Sequence, residues 1–211
     1  MADFHQNGVI STLHNLSNRS LDEIEQELRE YSKDAPIELI LPSLYSELEG
    51  AALKNIVSCL RDIKYLNHIT IGLDKANKSE FIKAKKFFSD LNQSHSVLWN
   101  DSPKMKKLDS DFKKLGIAPN QPGKGKNVWY CMGYTYSRNE AGSVALHDCD
   151  ITTYNRELLA RLVYPVSNPH FNYEFCKGYY PRIREGALSG RVTRLLVTPL
   201  LKTFKKVLGH R

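Results

Sequence analysis

The chain of 211 residues is long enough for one sizeable core and short for two full domains. With 41% hydrophobic and 25% charged residues it has the composition of a folded globular protein, and no apolar run approaches the ~20 residues of a membrane helix. Thirty Lys and Arg against 23 Asp and Glu leave a net charge of +7, which favours anionic partners: phosphorylated small molecules, nucleic acid or lipid headgroups.

The polar amino end, with His5, Gln6 and Asn7, lacks the pattern of a secretory signal. Cys59, Cys131, Cys149 and Cys176 form no CxxC pair, so reduced thiols in a cytoplasmic protein are expected instead of a disulfide framework or zinc knuckle.

Ser20 and Glu23 have capping-box spacing, and Leu21, Ile24, Leu28 and Tyr31 follow at helical intervals up to Pro36. Ile37 to Leu41 reads as a strand stopped by Pro42. A helix through Leu48, Ala52, Ile56, Val57 and Leu60 leads to a second strand, His68 to Leu73. A Lys-rich helix over Ser79 to Leu91, a third strand over Ser96 to Trp99 and a basic helix from about Lys104 to Leu115 come next. A loop from Pro119 to Gly125 precedes a helix over Val128 to Tyr136, and Ser143 to His147 is a fourth strand. Alternating strands and helices predict an α/β sandwich around a mostly parallel sheet. At the carboxyl end, Leu196, Val197, Leu200, Leu201, Phe204 and Leu208 keep helical spacing, with Pro199 tolerated only near a helix start.

Asp148-Cys149-Asp150 follows the fourth strand directly, and ligands in open α/β sheets bind beyond strand carboxyl ends. Two carboxylates there suit a hard divalent cation and a ribose hydroxyl, or, more simply, a solvated acidic turn. Pro122-Gly123-Lys124-Gly125-Lys126 lets backbone approach a phosphate while lysine adds charge, although it lacks the Walker spacing and reads equally as a flexible basic loop. Gly190-Arg191-Val192-Thr193, at the start of the last helix, offers an anion a guanidinium fork and a hydroxyl, or, more simply, is an ordinary helix start with a solvated Arg. Pro42 to Glu47 occupies another strand end, where a base could sit or an ordinary helix cap could form. The aromatic stretch Phe171 to Tyr180 reads as packing or a hairpin, and the Lys clusters near 83–86 and 104–107 as solvated faces. His147 reads as a buried strand-end histidine, and Cys149, between two carboxylates, as a poor nucleophile.

Together these segments resemble the nucleotide-sugar glycosyltransferases of the GT-A fold, and more closely the glucosyl-3-phosphoglycerate synthase family. The resemblance is carried by Pro-Ser-Leu at 42–44, Pro-Gly-Lys-Gly at 122–125, Asp-Cys-Asp at 148–150, Lys-Gly-Tyr-Tyr at 177–180, Gly-Arg-Val-Thr at 190–193 and Pro-Leu-Leu at 199–201. It implies a Rossmann-like nucleotide-sugar-binding sandwich over 36–211 after a helical extension over 1–35. The implied reaction is Mg²⁺- or Mn²⁺-dependent transfer of glucose, with retention, from a nucleoside diphosphate glucose such as UDP-glucose to D-3-phosphoglycerate. By motif match, Pro42, Ser43, Leu44 and Glu47 would line the base pocket and Lys124 would approach the diphosphate. Asp148 would serve the ribose and sugar, Asp150 the metal, and Gly190, Arg191, Val192 and Thr193 the acceptor's phosphate or carboxylate. No residue stands out as a protein nucleophile.

Two departures qualify the match. Tyr45-Ser46 separates Glu47 from the proline, where the family has its acidic residue closer. Family members also continue past the point equivalent to Arg211, with a metal-binding histidine in that later part. The expectation is therefore a truncated chain that keeps the donor-binding half and turns over poorly. Rival readings are a transferase for another sugar or acceptor (mannosyl donors, glycerate), a basic nucleic-acid module, and a subunit that buries its carboxyl-terminal helix against a partner, a second copy of the chain included. The spread of basic residues over several helices argues against nucleic acid.

Overall fold

The computed structural model describes residues 19–178, 183–184, 187–188 and 198–208. Ser20 caps the first helix, α1 (Leu21–Asp34), in a reciprocal box: its hydroxyl accepts from Glu23 N, and the Glu23 carboxylate accepts from Ser20 N at 2.9 Å. The buried face of α1 presents Ile24 and Leu28 at the helical interval. It packs on α6 (Arg156–Ser167), a helix the periodicity reading did not extract, and Glu25 pairs there with Arg156.

Four parallel strands, β1 (Ile37–Leu44), β2 (Leu66–Asp74), β3 (Ser94–Trp99) and β4 (Ser143–Leu146), lie in the order β3-β2-β1-β4. The chain winds outward from β1 through β2 to β3 and then crosses to the opposite side for β4, so the order reverses between β1 and β4. A crevice opens at such a switch point, beyond the strand carboxyl ends. Helices α2 (Ala51–Arg61), α3 (Lys78–Phe88), α4 (Pro103–Lys114) and α5 (Lys124–Arg138) complete the layers.

Pro42 does not stop β1, which runs on to Leu44. The Ile40 carbonyl accepts from His147 N on the β4 side, and residue 42, two further along, points the same way. The β1–β4 ladder ends at Ile40↔Leu146, so the missing proline N–H falls where no partner strand exists. A 3₁₀ turn, Tyr45–Glu49, follows.

The two faces of the sheet differ. The main core takes Ile37, Leu39 and Leu41 from β1 and Ile69, Ile71 and Leu73 from β2, packed with Leu53, Ile56 and Leu60 of α2 and Leu159 and Val163 of α6. Under α5 the sheet is polar. Glu38 is fully buried, with Arg138 Nε 3.5 Å from its Oε1, and burial pushes its carboxyl pKa up against that opposing charge. His68, opposite it in register, bridges the Ser94 and Ser96 hydroxyls at 2.9 and 3.1 Å. Thr70 meets Thr135 of α5 at 3.4 Å.

The basic faces of α3 and α4 are solvated, as expected for Lys83, Lys85, Lys86, Lys104, Lys106 and Lys107. Phe171 packs edge-on against Tyr164 and Tyr173. Residues 177–211 form a separate unit, in which β5 (Ile183–Arg184) pairs antiparallel with β6 (Ala187–Leu188) and α7 spans Thr198–Val207. Pro199 stands at the start of α7, where it is tolerated, and Leu200, Leu201, Phe204 and Leu208 of this unit are exposed. Among the described residues no helix is long and apolar enough to cross a membrane.

Candidate functional site

The carboxyl ends of β1 and β4 and the start of α5 meet at the switch point. Beyond Leu146 the chain alternates: His147 and Cys149 are buried, Asp148 is half-buried and Asp150 is exposed. Period-two alternation thus turns both carboxylates outward and both neighbours inward. Cys149 is 2% exposed, and burial is the largest cause pushing its thiol pKa up; the Glu47 carboxylate adds to this, while the Ser43 hydroxyl and the Lys124 ammonium oppose it. The thiol is a poor nucleophile as expected, with burial contributing more than the flanking carboxylates. His147 is 3% exposed, and burial lowers its pKa to about 4, leaving a neutral ring.

The basic segment is not a loop through Gly125, and the helix starts before Val128. Helix α5 begins at Lys124, with Gly123 as N-cap at φ 126°, a region where a side chain would be strained. Helices α1, α3, α4 and α6 are capped by the side chains of Ser20, Asn77, Ser102 and Asn155, whereas α2 and α5, which follow Gly50 and Gly123, have no side-chain cap. The first N–H groups of α5 are therefore available to an anion. Lys124 forms an ion pair with Asp148. Lys126 is committed elsewhere: its ammonium lies 2.5 Å from Asp109 of α4, which also accepts from Tyr130 at 2.7 Å and pairs with Lys113 at 3.0 Å.

Pro42 and Ser43 are buried and Leu44 and Glu47 half-buried at the β1 end. The Glu47 carboxylate turns back to accept from Leu44 N at 2.9 Å, which fixes the 3₁₀ turn and commits one carboxylate oxygen. Gly190, Arg191, Val192 and Thr193 lie outside the described residues.

Residues that the motif reading passed over complete the crest. Asp74 ends β2 in register with Leu44, accepts from Asn100 Nδ2 at 2.7 Å, and has its carboxyl pKa raised, chiefly by burial. It follows an apolar strand just as Asp148 does, so the rule that singled out Asp148 applies to it equally. Asn127 of α5 reaches the Gly72 carbonyl at 2.9 Å.

The outward carboxylates of Asp148 and Asp150 are hard oxygen donors, and among the described residues Asp150 has no ion-pair partner. No cluster of three or more His, Cys, Asp or Glu able to hold a metal occurs among those residues. That donor set fits Mg²⁺ or Mn²⁺, which take few protein ligands and fill their shells with water and substrate phosphates.

The four-stranded parallel sheet between helices is that of a GT-A-type α/β sandwich. Several solved structures of Mycobacterium tuberculosis glucosyl-3-phosphoglycerate synthase share this fold. The complex with UDP matches with a TM-score of 0.53 at 19% identity, over 98% of this chain and 58% of that one. The complex with Mn²⁺, UDP-glucose and phosphoglyceric acid matches at 0.52 and 19%, over 87% and 55%. In sequence, the chain is 49% identical over 209 residues to the glucosyl-3-phosphoglycerate synthase of Persephonella marina, covering 99% of this chain and 52% of the relative. It is 36% identical over 206 residues to that of Methanococcoides burtonii, covering 96% and 50%. The chain thus resembles glucosyl-3-phosphoglycerate synthases along nearly its whole length and spans about half the length of those relatives. No protein-family model matches it.

Proposed function

We propose that the chain binds a nucleoside diphosphate glucose, UDP-glucose foremost, with Mg²⁺ or Mn²⁺ at the β1–β4 switch point, as the donor side of a glucosyl-3-phosphoglycerate synthase. The observation that carries this reading is the meeting of Lys124, at an uncapped helix start, with Asp148 on the acidic turn. Similarity to synthases at 49% and 36% identity supports the choice of donor and acceptor.

Pro42, Ser43, Leu44 and Glu47 line the base pocket in this reading. Lys124 exchanges its carboxylate partner for the donor's diphosphate, which frees Asp148 for hydroxyls of the ribose and sugar. Asp150 holds the cation, which when bound neutralises charge on the departing diphosphate. Gly190, Arg191, Val192 and Thr193 receive the acid groups of D-3-phosphoglycerate. Retention follows from attack on the face the diphosphate leaves, which needs no protein nucleophile; Cys149, buried with its thiol protonated, does not supply one. A second copy of the chain as partner, in a cytoplasmic homodimer, completes the proposal, and sedimentation at several concentrations tests it.

Calorimetric titration with UDP-glucose, first with Mn²⁺ and then with EDTA, tests donor binding. Metal-dependent binding that is lost in Asp150→Ala is the expected result. A folded chain that binds no nucleoside diphosphate sugar in either condition overturns the reading.

A further inference from the structure

The acidic turn is held from its inward side. The β4 ladder ends at Leu146, and His147 N makes one further backbone bond to the Ile40 carbonyl at 3.1 Å. Cys149 is buried in the core between the two aspartates, and the next hydrogen-bonded attachment downstream is Tyr154, 3% exposed. Its hydroxyl meets His147 Nδ1 at 3.2 Å, and the two rings pack edge to face with centroids 5.3 Å apart. The Tyr154 carbonyl accepts from Asn55 Nδ2 of α2 at 2.9 Å. His147 Nε2 is buried and has no partner among the described residues, so Tyr154 is the ring's one polar anchor. One chain of contacts therefore runs from α2 through Tyr154 to the residue immediately before Asp148, and it closes the 147–154 segment into a loop pinned at both ends.

We propose that His147 and Tyr154 are positioning residues for the divalent cation: their hydrogen bond sets the direction of Asp148 and Asp150, with Asn55 as the outer tether. The inference rests on the reading of this turn as the donor and metal site. Ring packing alone would be served equally by phenylalanine at 154, so the hydroxyl is the discriminating atom. Groups that orient metal ligands without touching the metal are worth roughly 10–100-fold in metal affinity when removed.

The test is Mn²⁺ binding to the full 211-residue chain at saturating UDP, followed by the electron paramagnetic resonance of free Mn²⁺. UDP affinity without metal and thermal unfolding are measured in parallel. Tyr154→Phe and His147→Leu are expected to weaken Mn²⁺ binding by about tenfold and metal-free UDP affinity by a clearly smaller factor, through the ribose contact of Asp148. His147→Asn, whose amide nitrogen stands near the Nδ1 position, is expected to recover most of the loss. Asn55→Ala, on an exposed helix position, acts in the same direction by a smaller factor.

Wild-type Mn²⁺ affinity in Tyr154→Phe overturns the proposal, as does a loss of metal-free UDP binding as large as the loss of Mn²⁺ binding, which marks a merely structural role. Should Tyr154→Phe fail to fold, Asn55→Ala decides, and unchanged Mn²⁺ affinity there overturns it. Asp150→Asn separates the two levels. If that variant binds Mn²⁺ like wild type, the reading of the site itself falls and the buttress with it. If it loses Mn²⁺ while the buttress variants do not, only the buttress falls.

Discussion

Asn127 donates from Nδ2 to the Gly72 carbonyl at 2.9 Å, across a gap that has no room for a side chain at residue 72. A Cβ at that position would stand 1.8 Å from Asn127 Oδ1 and 2.5 Å from Cys131 Sγ. Helix α5 is thereby seated directly on β2 backbone, and the start of α5 inherits its place at the crevice from this contact.

Gly72→Ala is accordingly expected to lower stability by about 1–3 kcal/mol, the usual range for overpacking a filled interior. Urea unfolding measures this, and the same variant should bind UDP less tightly because the first turn of α5 is displaced. Wild-type stability would show that α5 moves aside at no cost.

Lys124→Ala separates binding from folding. The Lys124–Asp148 pair is about half-exposed on both sides, and such pairs contribute roughly 0–1 kcal/mol. Stability should stay within that range while affinity for UDP falls several-fold and loses much of its salt dependence. Calorimetry at two salt concentrations checks both expectations.

Asp109 gathers Lys126, Lys113 and the Tyr130 hydroxyl, and although burial opposes them, these partners hold its carboxyl well below the usual range. Asp109→Leu removes the acceptor for all three and strands Lys126, only 20% exposed, beside an apolar group. A loss of about 2–4 kcal/mol is expected, mostly from the uncompensated cation. Lys126→Met in the same background should recover part of it, as thermal unfolding of the double variant would show.

Below α5, His68 sets a pH dependence. Burial is the main cause lowering its pKa from 6.5 to about 4, with the Arg138 charge acting in the same direction. The folded state therefore resists a proton that the unfolded chain accepts. This contribution to stability is fully present above pH 6.5, declines as pH falls through that window and levels off below 4, amounting to about 3 kcal/mol at most. Glu38, with its carboxyl raised, acts with the opposite sign: its protonated form is favoured in the fold, so its contribution falls as pH rises. Comparing wild type with His68→Asn across pH 4–7 isolates the histidine, and a constant difference would count against its burial as a neutral ring.

The strands were legible in sequence because a parallel sheet covered on both sides reads as short apolar runs. Ile37 to Leu41 and Ile69 to Leu73 are such runs. The start of α5 was not, because Gly-Lys-Gly-Lys has loop composition, and the contact of Asn127 and Cys131 with Gly72 that seats the helix joins segments distant in the chain. Nor was the polar network beneath the sheet: Glu38 and His68 acquire Arg138 and Ser94 from segments distant in the chain. The acidic turn was legible by its place after a strand. Asp74 had the same place and lacked only a second carboxylate beside it to draw notice. The capping box at Ser20 required no tertiary information at all.

Pro42 gives the crevice a fixed edge. Were β4 to lengthen by two residues, its backbone would seek a donor from β1 at position 42 and find an imino nitrogen, so the sheet cannot zip upward between the two strands. An ordinary amide there would allow the strands to close over the space into which Lys124 and Asp148 project. The proline acts as a zipper stop that keeps the mouth of the switch point open.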